Sequence, residues 1–306
     1  MDIFMGRKKK TAAAGLAALA CCLLMVAFPS VAVSSARKGI SLWASNVLPA
    51  LLPFFICANF LQTIGMARAL GPGAFPFIMS VLSGYPMGAK VVGDLKRSGE
   101  ITLREAKRLM SFCSTSGPAF MAGAVGAGML GSASLGGVIA AAHYGGALVN
   151  RSLYTRLLGK ENIRAACYVL PQAAGMQQAV TDSIISSLKA LGIILAYIVL
   201  FMWLTDMLHM CGALSIIDSQ EIRAMAKGML EMTVGCEAVS ECAGASDILK
   251  CVMCSALVSW GGLSVAGQSM SMLSGTGVSL GYILVTKLTH ALFSAGVAFT
   301  VGLVVL

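Results

Sequence analysis

The sequence predicts an all-α membrane protein with about seven transmembrane helices and two re-entrant helical hairpins. Three observations lead to this prediction. Hydrophobic residues make up 57% of the 306 residues and charged residues only 11%, whereas an average soluble domain carries about 25% charged residues. The mean hydropathy is +0.83. Apolar runs of about 20 residues, the length that crosses a bilayer as a helix, recur along the chain. This composition excludes an ordinary soluble enzyme.

The N-terminal segment is first basic and then apolar. The basic run Arg7–Lys10 precedes an apolar run from 11 to 36. A cleaved signal peptide and an uncleaved first span both fit this pattern, and the length of the run favours the span. In either case the basic residues are expected to hold the N-terminus in the cytoplasm.

Six further apolar segments are candidate spans, namely 41–66, 109–130, 134–157, 183–204, 250–272 and 279–304. Two other segments are expected to enter the bilayer and return on the same side. The first, 75–92, is broken by Gly84-Tyr85-Pro86. The second, 222–245, has its tip expected at Gly235 and carries Lys227, Glu231, Glu237 and Glu241. Each of these charges costs about 2.5–3.5 kcal/mol at the centre of a spanning helix. A solvated outer loop remains an alternative for 222–245.

The distribution of charge supports this topology. If 75–92 returns to its own side, the basic segments 94–108 and 151–164 both face the cytoplasm, as the positive-inside rule requires, and the C-terminus lies outside. The net charge of +9 is then a cytoplasmic excess of basic residues. It therefore indicates topology and contact with the lipid bilayer, and no nucleic acid is expected as a partner.

The order of elements is expected to occur twice, as an inverted-topology repeat. After a basic N-terminus and first span in 1–38, residues 39–165 and 166–306 each contain a span, a hairpin, a broken helix and a span, which is a common plan of secondary transporters. Ser134-Leu135-Gly136 matches Ser279-Leu280-Gly281, although His143 and His290 then follow at offsets that differ by two residues.

The third element of each repeat is a helix with an interruption, at Ser114–Pro118 in the first repeat and at Trp260–Gly262 in the second. Proline removes a backbone donor and glycine weakens a helix. Unpaired backbone at membrane depth is tolerated where it is buried in protein or lines a cavity. The half-helix ends can then offer oriented N–H and C=O groups to a solute. A packed kink is the alternative interpretation.

The candidate site combines these breaks with the hairpin tips and with charges at membrane depth, which are costly and therefore functional candidates. Lys90 is expected to face the site or to reach the cytoplasmic interface, and Glu231 to bind a cation or proton or to pair with Lys90. Lys287 and His290 share one helix face and could hold an anionic group, relay a proton or hydrogen-bond a neighbouring hairpin. The predicted solute-binding residues are Gly84, Tyr85, Pro86, Met87, Gly88, Lys90, Ser114, Thr115, Ser116, Glu231, Thr233, Gly235, Glu237, Gly262, Ser264, Gln268, Lys287 and His290.

No enzymatic or cofactor chemistry is expected. The sequence contains no HExxH, the motif of zinc peptidases. Cys251 and Cys254 form a CxxC without a second pair, so they are interpreted as small hydrophobic residues, with no metal site.

Four stretches resemble sporulation integral membrane proteins of the YlbJ type. They are SGYPMGAK (83–90), CSTSGPAF (113–120), GMLEMTVG (228–235) and GGLSVAGQSMSMLSGTG (261–277), together with Lys287 and His290. That family is similar to the nucleoside-recognition or Gate domain, which is itself similar to the core of concentrative nucleoside transporters. The resemblance covers about residues 40–304.

The resemblance implies a multi-pass membrane protein of endospore-forming bacteria that is needed for spore cortex formation. It further implies a secondary transporter of a small polar or anionic solute, with a coupling ion and a homo-oligomeric state left open. A non-transporting assembly or scaffold protein is the alternative. The transporters carry a Gln-Thr-Glu type sequence at the first tip, where this chain has Tyr85-Pro86-Met87, so the resemblance does not imply that nucleosides are carried.

Overall fold

The computed structural model describes residues 2–65, 70–71, 73–159 and 175–306. These residues form helices, turns and loops, and none of them lies in a β-strand. The expected all-α class is thereby confirmed. Lys160, Arg164 and the expected boundary between the repeats at 165/166 lie outside the described residues, as do the side chains of Arg7–Lys10.

Thirteen α-helices and two π-helical segments make up the described fold. They are α1 (Asp2–Ala27), α2 (Pro29–Leu42), α3 (Leu48–Thr63), α4 (Ala74–Ser83), α5 (Met87–Arg97), α6 (Leu103–Met110), α7 (Ala133–Leu158), α8 (Met176–Met210), α9 (Gln220–Leu230), α10 (Met232–Ser240), α11 (Asp247–Trp260), α12 (Gly262–Met272) and α13 (Leu280–Val305), with π-helices at Trp43–Val47 and Ala119–Met129.

Three helical units of the described chain are long and apolar enough to cross a membrane: α8, α11 together with α12, and α13. A fourth is added if Gly15–Ala27 and Pro29–Ser45, which meet at 102°, count as one span. The predicted first span over 11–36 contains a break, because α1 ends at Ala27 and α2 starts at Pro29. Proline has no N–H to continue the preceding helix and is suited to the first turn of the next.

The helices α2 and α3 pack along α8, and the π-helix Trp43–Val47 keeps the chain helical between them. Polar contacts tie this layer together at separate levels. The Asn59 side-chain amide donates to Ser187 Oγ at 2.8 Å, and the Trp43 indole donates to the Leu191 carbonyl at 3.1 Å. The predicted spans 41–66 and 183–204 are thus neighbours, which suits a supporting layer.

The remaining helices enclose two apolar clusters. One is built mainly on α3 to α6 and the middle of α8, and the other on the π-helix Ala119–Met129, α7 and α9 to α11. The helices α7 and α13 cross closely, because a Cβ added to Gly146 would lie 2.8 Å from the backbone N of Ser294. Buried polar side chains occupy the region of this crossing.

The helix caps fix the register between α7 and α13. Ser132 and Ser279 are the N-cap residues, and each side chain accepts a hydrogen bond from the backbone N–H three residues later, as Ser caps do. His143 and His290 both lie 11 residues after their caps. The expected match of Ser134 with Ser279 is therefore shifted by two residues, and the offset between the two histidines disappears.

Candidate functional site

The tip of the first helical hairpin, α4–α5, packs against the first helix break. Gly84 has a φ of +75°, which favours glycine, and a Cβ there would lie 2.8 Å from the backbone N of Gly117. A Cβ on Gly88 would lie 1.5 Å from the Cys113 carbonyl oxygen. The Thr115 N–H donates to Ser80 Oγ at 3.0 Å. The hairpin and the break therefore form one packed unit.

The second hairpin, α9–α10, has the same relation to the second break. A Cβ on Gly262 would lie 2.8 Å from the Leu230 carbonyl oxygen, and the Trp260 indole donates to the Met229 carbonyl at 3.0 Å. Each hairpin tip thus contacts the broken helix that follows it in the chain.

The turn of the second hairpin lies at Glu231, and the expected tip at Gly235 is wrong. The Glu231 carboxylate accepts a hydrogen bond from the Val234 N–H at 3.0 Å, so it caps the start of α10. Thr233 Oγ1 donates to the same carboxylate at 3.3 Å. Gly235 lies inside α10, where a Cβ would stand 2.2 Å from Gly228 Cα. Its small size lets the two arms pack closely.

Both predicted breaks are present. The helix α6 ends at Met110, residues 114–117 are not helical, and the π-helix begins at Ala119. In the second break α11 ends at Trp260, and Gly261 and Gly262 have φ values of +80° and +76° before α12 continues. The first half of the first broken helix is the basic helix α6. Its Thr102 cap accepts from the Glu105 N–H at 3.1 Å.

Lys287 lies where both breaks and the first hairpin tip meet. Its Nζ donates to the Ser114 carbonyl at 3.0 Å and stands 3.7 Å from the centroid of the Tyr85 ring. The Tyr85 hydroxyl donates to the Val258 carbonyl, close to the second break, at 3.0 Å. A Cβ on Gly261 would be 3.6 Å from the same Nζ.

Lys287 has no acidic partner among the described residues. Its side chain is buried, with the residue 2% exposed, and no carboxylate of the described chain lies within 4.0 Å of Nζ. A buried ammonium is costly unless it is paired. The Ser114 carbonyl and the Tyr85 ring provide a polar contact and a cation–π contact to Lys287. Neither of them supplies a compensating negative charge.

His143 connects the first break to α11 and α13. Its Nε2 accepts a hydrogen bond from the Ser116 N–H at 2.9 Å, so a neutral ring carries its proton on Nδ1. Nδ1 then donates to Ser259 Oγ at 2.8 Å, and Ser259 Oγ donates to Ser294 Oγ at 2.8 Å. His290 Nε2 donates to the His143 carbonyl at 2.9 Å. This network fixes the backbone of the first break.

The sequence did not single out Ser259 and Ser294 as site residues. Each is one hydroxyl within an apolar helix, and such hydroxyls also bond to their own helix backbone, as Ser183 does. The sequence indicates His143 only as the counterpart of His290 in the first repeat. A matched histidine in each of the two final helices was the signal that could have identified this group.

Several predicted residues have contacts other than with Lys287. Lys90 donates to Asp94 at 2.8 Å on its own helix, and Asp94 also pairs with Arg97, so the expected pairing of Lys90 with Glu231 is not found. Glu237 is exposed on α10. Ser264 and Gln268 are buried and hydrogen-bond to each other at 3.2 Å on α12.

Two hydroxyls near the first tip are buried without a hydrogen-bond partner, namely Ser83 Oγ and Ser114 Oγ. Buried polar groups are normally paired, so these two atoms are available to a bound solute. Across the described residues, no three His, Cys, Asp or Glu side chains come together to hold a metal ion.

Comparison with known proteins identifies a relative that aligns with most of the chain. The chain is 29% identical to the sporulation integral membrane protein YlbJ of Bacillus subtilis (strain 168), in an alignment of 318 positions that covers 89% of this chain and 78% of that protein. No family model and no solved structure matches the chain. Together with its apolar helices, this similarity over most of the chain supports a location in a membrane.

Proposed function

We propose that the chain is a secondary transporter that carries a small polar solute with an anionic group across a cell membrane. Lys287 is the observation that carries the proposal, because it is buried at the meeting point of both breaks and one hairpin tip without a described carboxylate to pair with. The anionic group of the solute would supply the missing charge.

The helix ends beside Lys287 suit an anion. The helix α12 begins at Gly262 and α5 begins at Met87, and neither has a side-chain cap on its first backbone N–H groups. The N-terminus of a helix carries a partial positive charge and free donors, and so attracts anions. The unpaired hydroxyls Ser83 Oγ and Ser114 Oγ would complete the set of contacts.

The arrangement of elements supports alternating access. In each half a long helix or helix pair precedes a hairpin, an interrupted helix and a helix of 26 residues. We interpret this order as the inverted repeat of a Gate-type transporter with seven spans and two re-entrant hairpins. The N-terminus would lie in the cytoplasm and the C-terminus outside. The hairpins and broken helices would move against the layer of α2, α3 and α8.

The name of the YlbJ relative extends the proposal to a process. A protein 29% identical over most of the chain is a sporulation integral membrane protein, so we place the transport in sporulating cells. The proposed support of the spore cortex rests on the resemblance of the four YlbJ-type stretches. A non-transporting scaffold for cortex assembly is the second candidate. The close fit of Gly88 on the Cys113 carbonyl favours it, since such packing suits a rigid protein.

Proteoliposome uptake tests the proposal. The purified chain would be reconstituted and offered a panel of labelled aliphatic and aromatic carboxylates, phosphorylated solutes, amino acids and nucleosides. We expect saturable uptake of an anionic member, lost in Lys287→Met and retained in Lys90→Met. The two variants are matched, because both lysines are buried but only Lys90 has an acidic partner. If the uptake of every solute in the panel is no higher than its uptake into protein-free vesicles, the transport proposal is wrong and the scaffold candidate gains support.

A further inference from the structure

A groove lies on the side of the molecule formed by α2, α8 and the end of α1, away from Lys287. Its volume is about 410 Å³. The lining residues are Met25, Ala32, Ala36, Ile40, Gly192, Leu195, Ala196, Val199, Leu200 and Trp203. The α8 members recur at intervals of three and four residues, so they form one stripe along that helix. Every lining side chain is apolar except for the indole N–H.

The length of the groove matches one leaflet of a bilayer. Gly192 and Trp203 mark its ends on α8, and this separation of 11 positions corresponds to a rise of about 16 Å at 1.5 Å per residue. Half of a hydrocarbon core about 30 Å thick is about 15 Å. A Cβ added to Gly192 would meet nothing within 4 Å, so there is unoccupied space at this end of the groove.

A lining residue at the opposite end has a buried hydrogen-bond donor without an acceptor. Trp203 is 3% exposed and its Nε1 is buried without an acceptor. A buried N–H without an acceptor loses free energy, and such donors are normally paired. Tryptophan rings concentrate at the membrane interface, where one end is apolar and the other meets polar groups. An occupant should therefore bring an acceptor to this end and an apolar chain to the rest.

Positive charge lies at the same end. Asp206 follows Trp203 by one helical turn and pairs with Lys38 at 3.5 Å. It also accepts a hydrogen bond from Ser35 at 2.7 Å. Lys38 remains 60% exposed at its side chain, and Arg37 beside it is exposed. Basic residues at a membrane surface attract anionic head groups.

We propose that this groove binds one acyl chain of a membrane phospholipid. The ester carbonyl of that lipid accepts the hydrogen bond of Trp203 Nε1, and its phosphate lies at the level of Arg37 and Lys38. The site is separate from the one at Lys287, so it does not rest on the transport proposal.

Native mass spectrometry of the purified chain tests the inference. The wild type, extracted from membranes in mild detergent, should retain one phospholipid. Ala196→Trp fills the groove and should lower the lipid-bound fraction about tenfold, a factor that corresponds to about 1.4 kcal/mol. Leu292→Trp is the matched control, because Leu292 is 64% exposed on α13 outside the groove, and should retain the lipid.

A second variant keeps the test decisive if Ala196→Trp folds poorly. Trp203→Phe keeps an aromatic ring at this position and removes the indole N–H, so we expect the lipid to be retained about fivefold more weakly, as befits the loss of one neutral hydrogen bond. Equal retention in the groove variants and the control would overturn the inference. The inference would also be overturned if the wild-type protein carried no lipid. It would be overturned as well if the wild type had the mass of a dimer of this chain and Ala196→Trp had the mass of a monomer, because the groove would then bind a second copy.

Discussion

Replacing Lys287 by methionine separates a binding role of this residue from a structural one. Methionine matches the length and apolar stem of lysine without its charge. The change removes the donor to the Ser114 carbonyl and the cation over the Tyr85 ring. It also removes the cost of keeping an ammonium buried without an acidic partner.

The two effects are of similar size. A hydrogen bond from a charged group contributes about 1.5–3 kcal/mol, and a desolvated cation–π contact contributes about 2 kcal/mol. Burial of one ion costs several kcal/mol even after the protein relaxes. We therefore expect the melting temperature of Lys287→Met in detergent to stay within a few degrees of the wild type.

Binding should respond much more strongly than stability. A solute present at 100 times its Kd stabilises the protein by about 2.7 kcal/mol, so a thermal-shift screen of anionic solutes can identify a ligand. We expect this shift in the wild type and in Lys90→Met, and none in Lys287→Met. A large drop in melting temperature of Lys287→Met with an unchanged ligand shift would refute the reasoning, because Lys287 would then be structural.

Three further predictions concern the packing that holds the site. Gly88→Ala should lower the melting temperature sharply or prevent folding, because the new Cβ would overlap the Cys113 carbonyl oxygen. Gly137→Ala in α7 is the control and should raise the free energy of unfolding by about 0.5–1 kcal/mol, because a Cβ there meets nothing within 4 Å. Equal melting temperatures of the two variants would contradict the packing account. His143→Phe should lower the free energy of unfolding by about 1–3 kcal/mol, because the Ser116 N–H then has no acceptor. His143→Gln places an amide oxygen near the position of Nε2 and should lower it less. Denaturant titration compares the two variants, and a greater loss in His143→Gln would contradict the account. Glu231→Ala should remove the cap of α10 and lower the free energy of unfolding by about 0.5–2 kcal/mol, while Glu231→Gln keeps an acceptor oxygen and should retain most of that stability. Faster hydrogen exchange of the amides in 232–236 would reveal the lost cap. Equal exchange rates in the two variants would show that the cap is unimportant.

The sequence predicted those features that depend on backbone chemistry. Pro118 and the pair Gly261-Gly262 marked both breaks, because proline and glycine interrupt helices whatever their neighbours are. The turn at Gly84-Tyr85-Pro86 was found for the same reason. Lys287 was identified because a charge in an apolar span is costly wherever it faces.

Features that depend on long-range contacts were not predicted. Gly235 looked like a hairpin tip, but its small size serves the packing of α10 on α9, and the turn lies at Glu231 because that carboxylate caps α10. Lys90 is a different case, because its partner Asp94 lies one turn away on the same helix and the four-residue spacing could have indicated this pair. The link from His143 through Ser259 to Ser294 joins three helices, and local sequence carries no record of such pairing.

An experimental structure with the stabilising solute bound tests the central claim most directly. We predict density for the anionic group within hydrogen-bonding distance of Lys287 Nζ, between the Tyr85 tip, the Ser114 break and the first turn of α12. Density for the solute elsewhere in the molecule, with Lys287 still bonded to the Ser114 carbonyl and covered by the Tyr85 ring, would contradict the account.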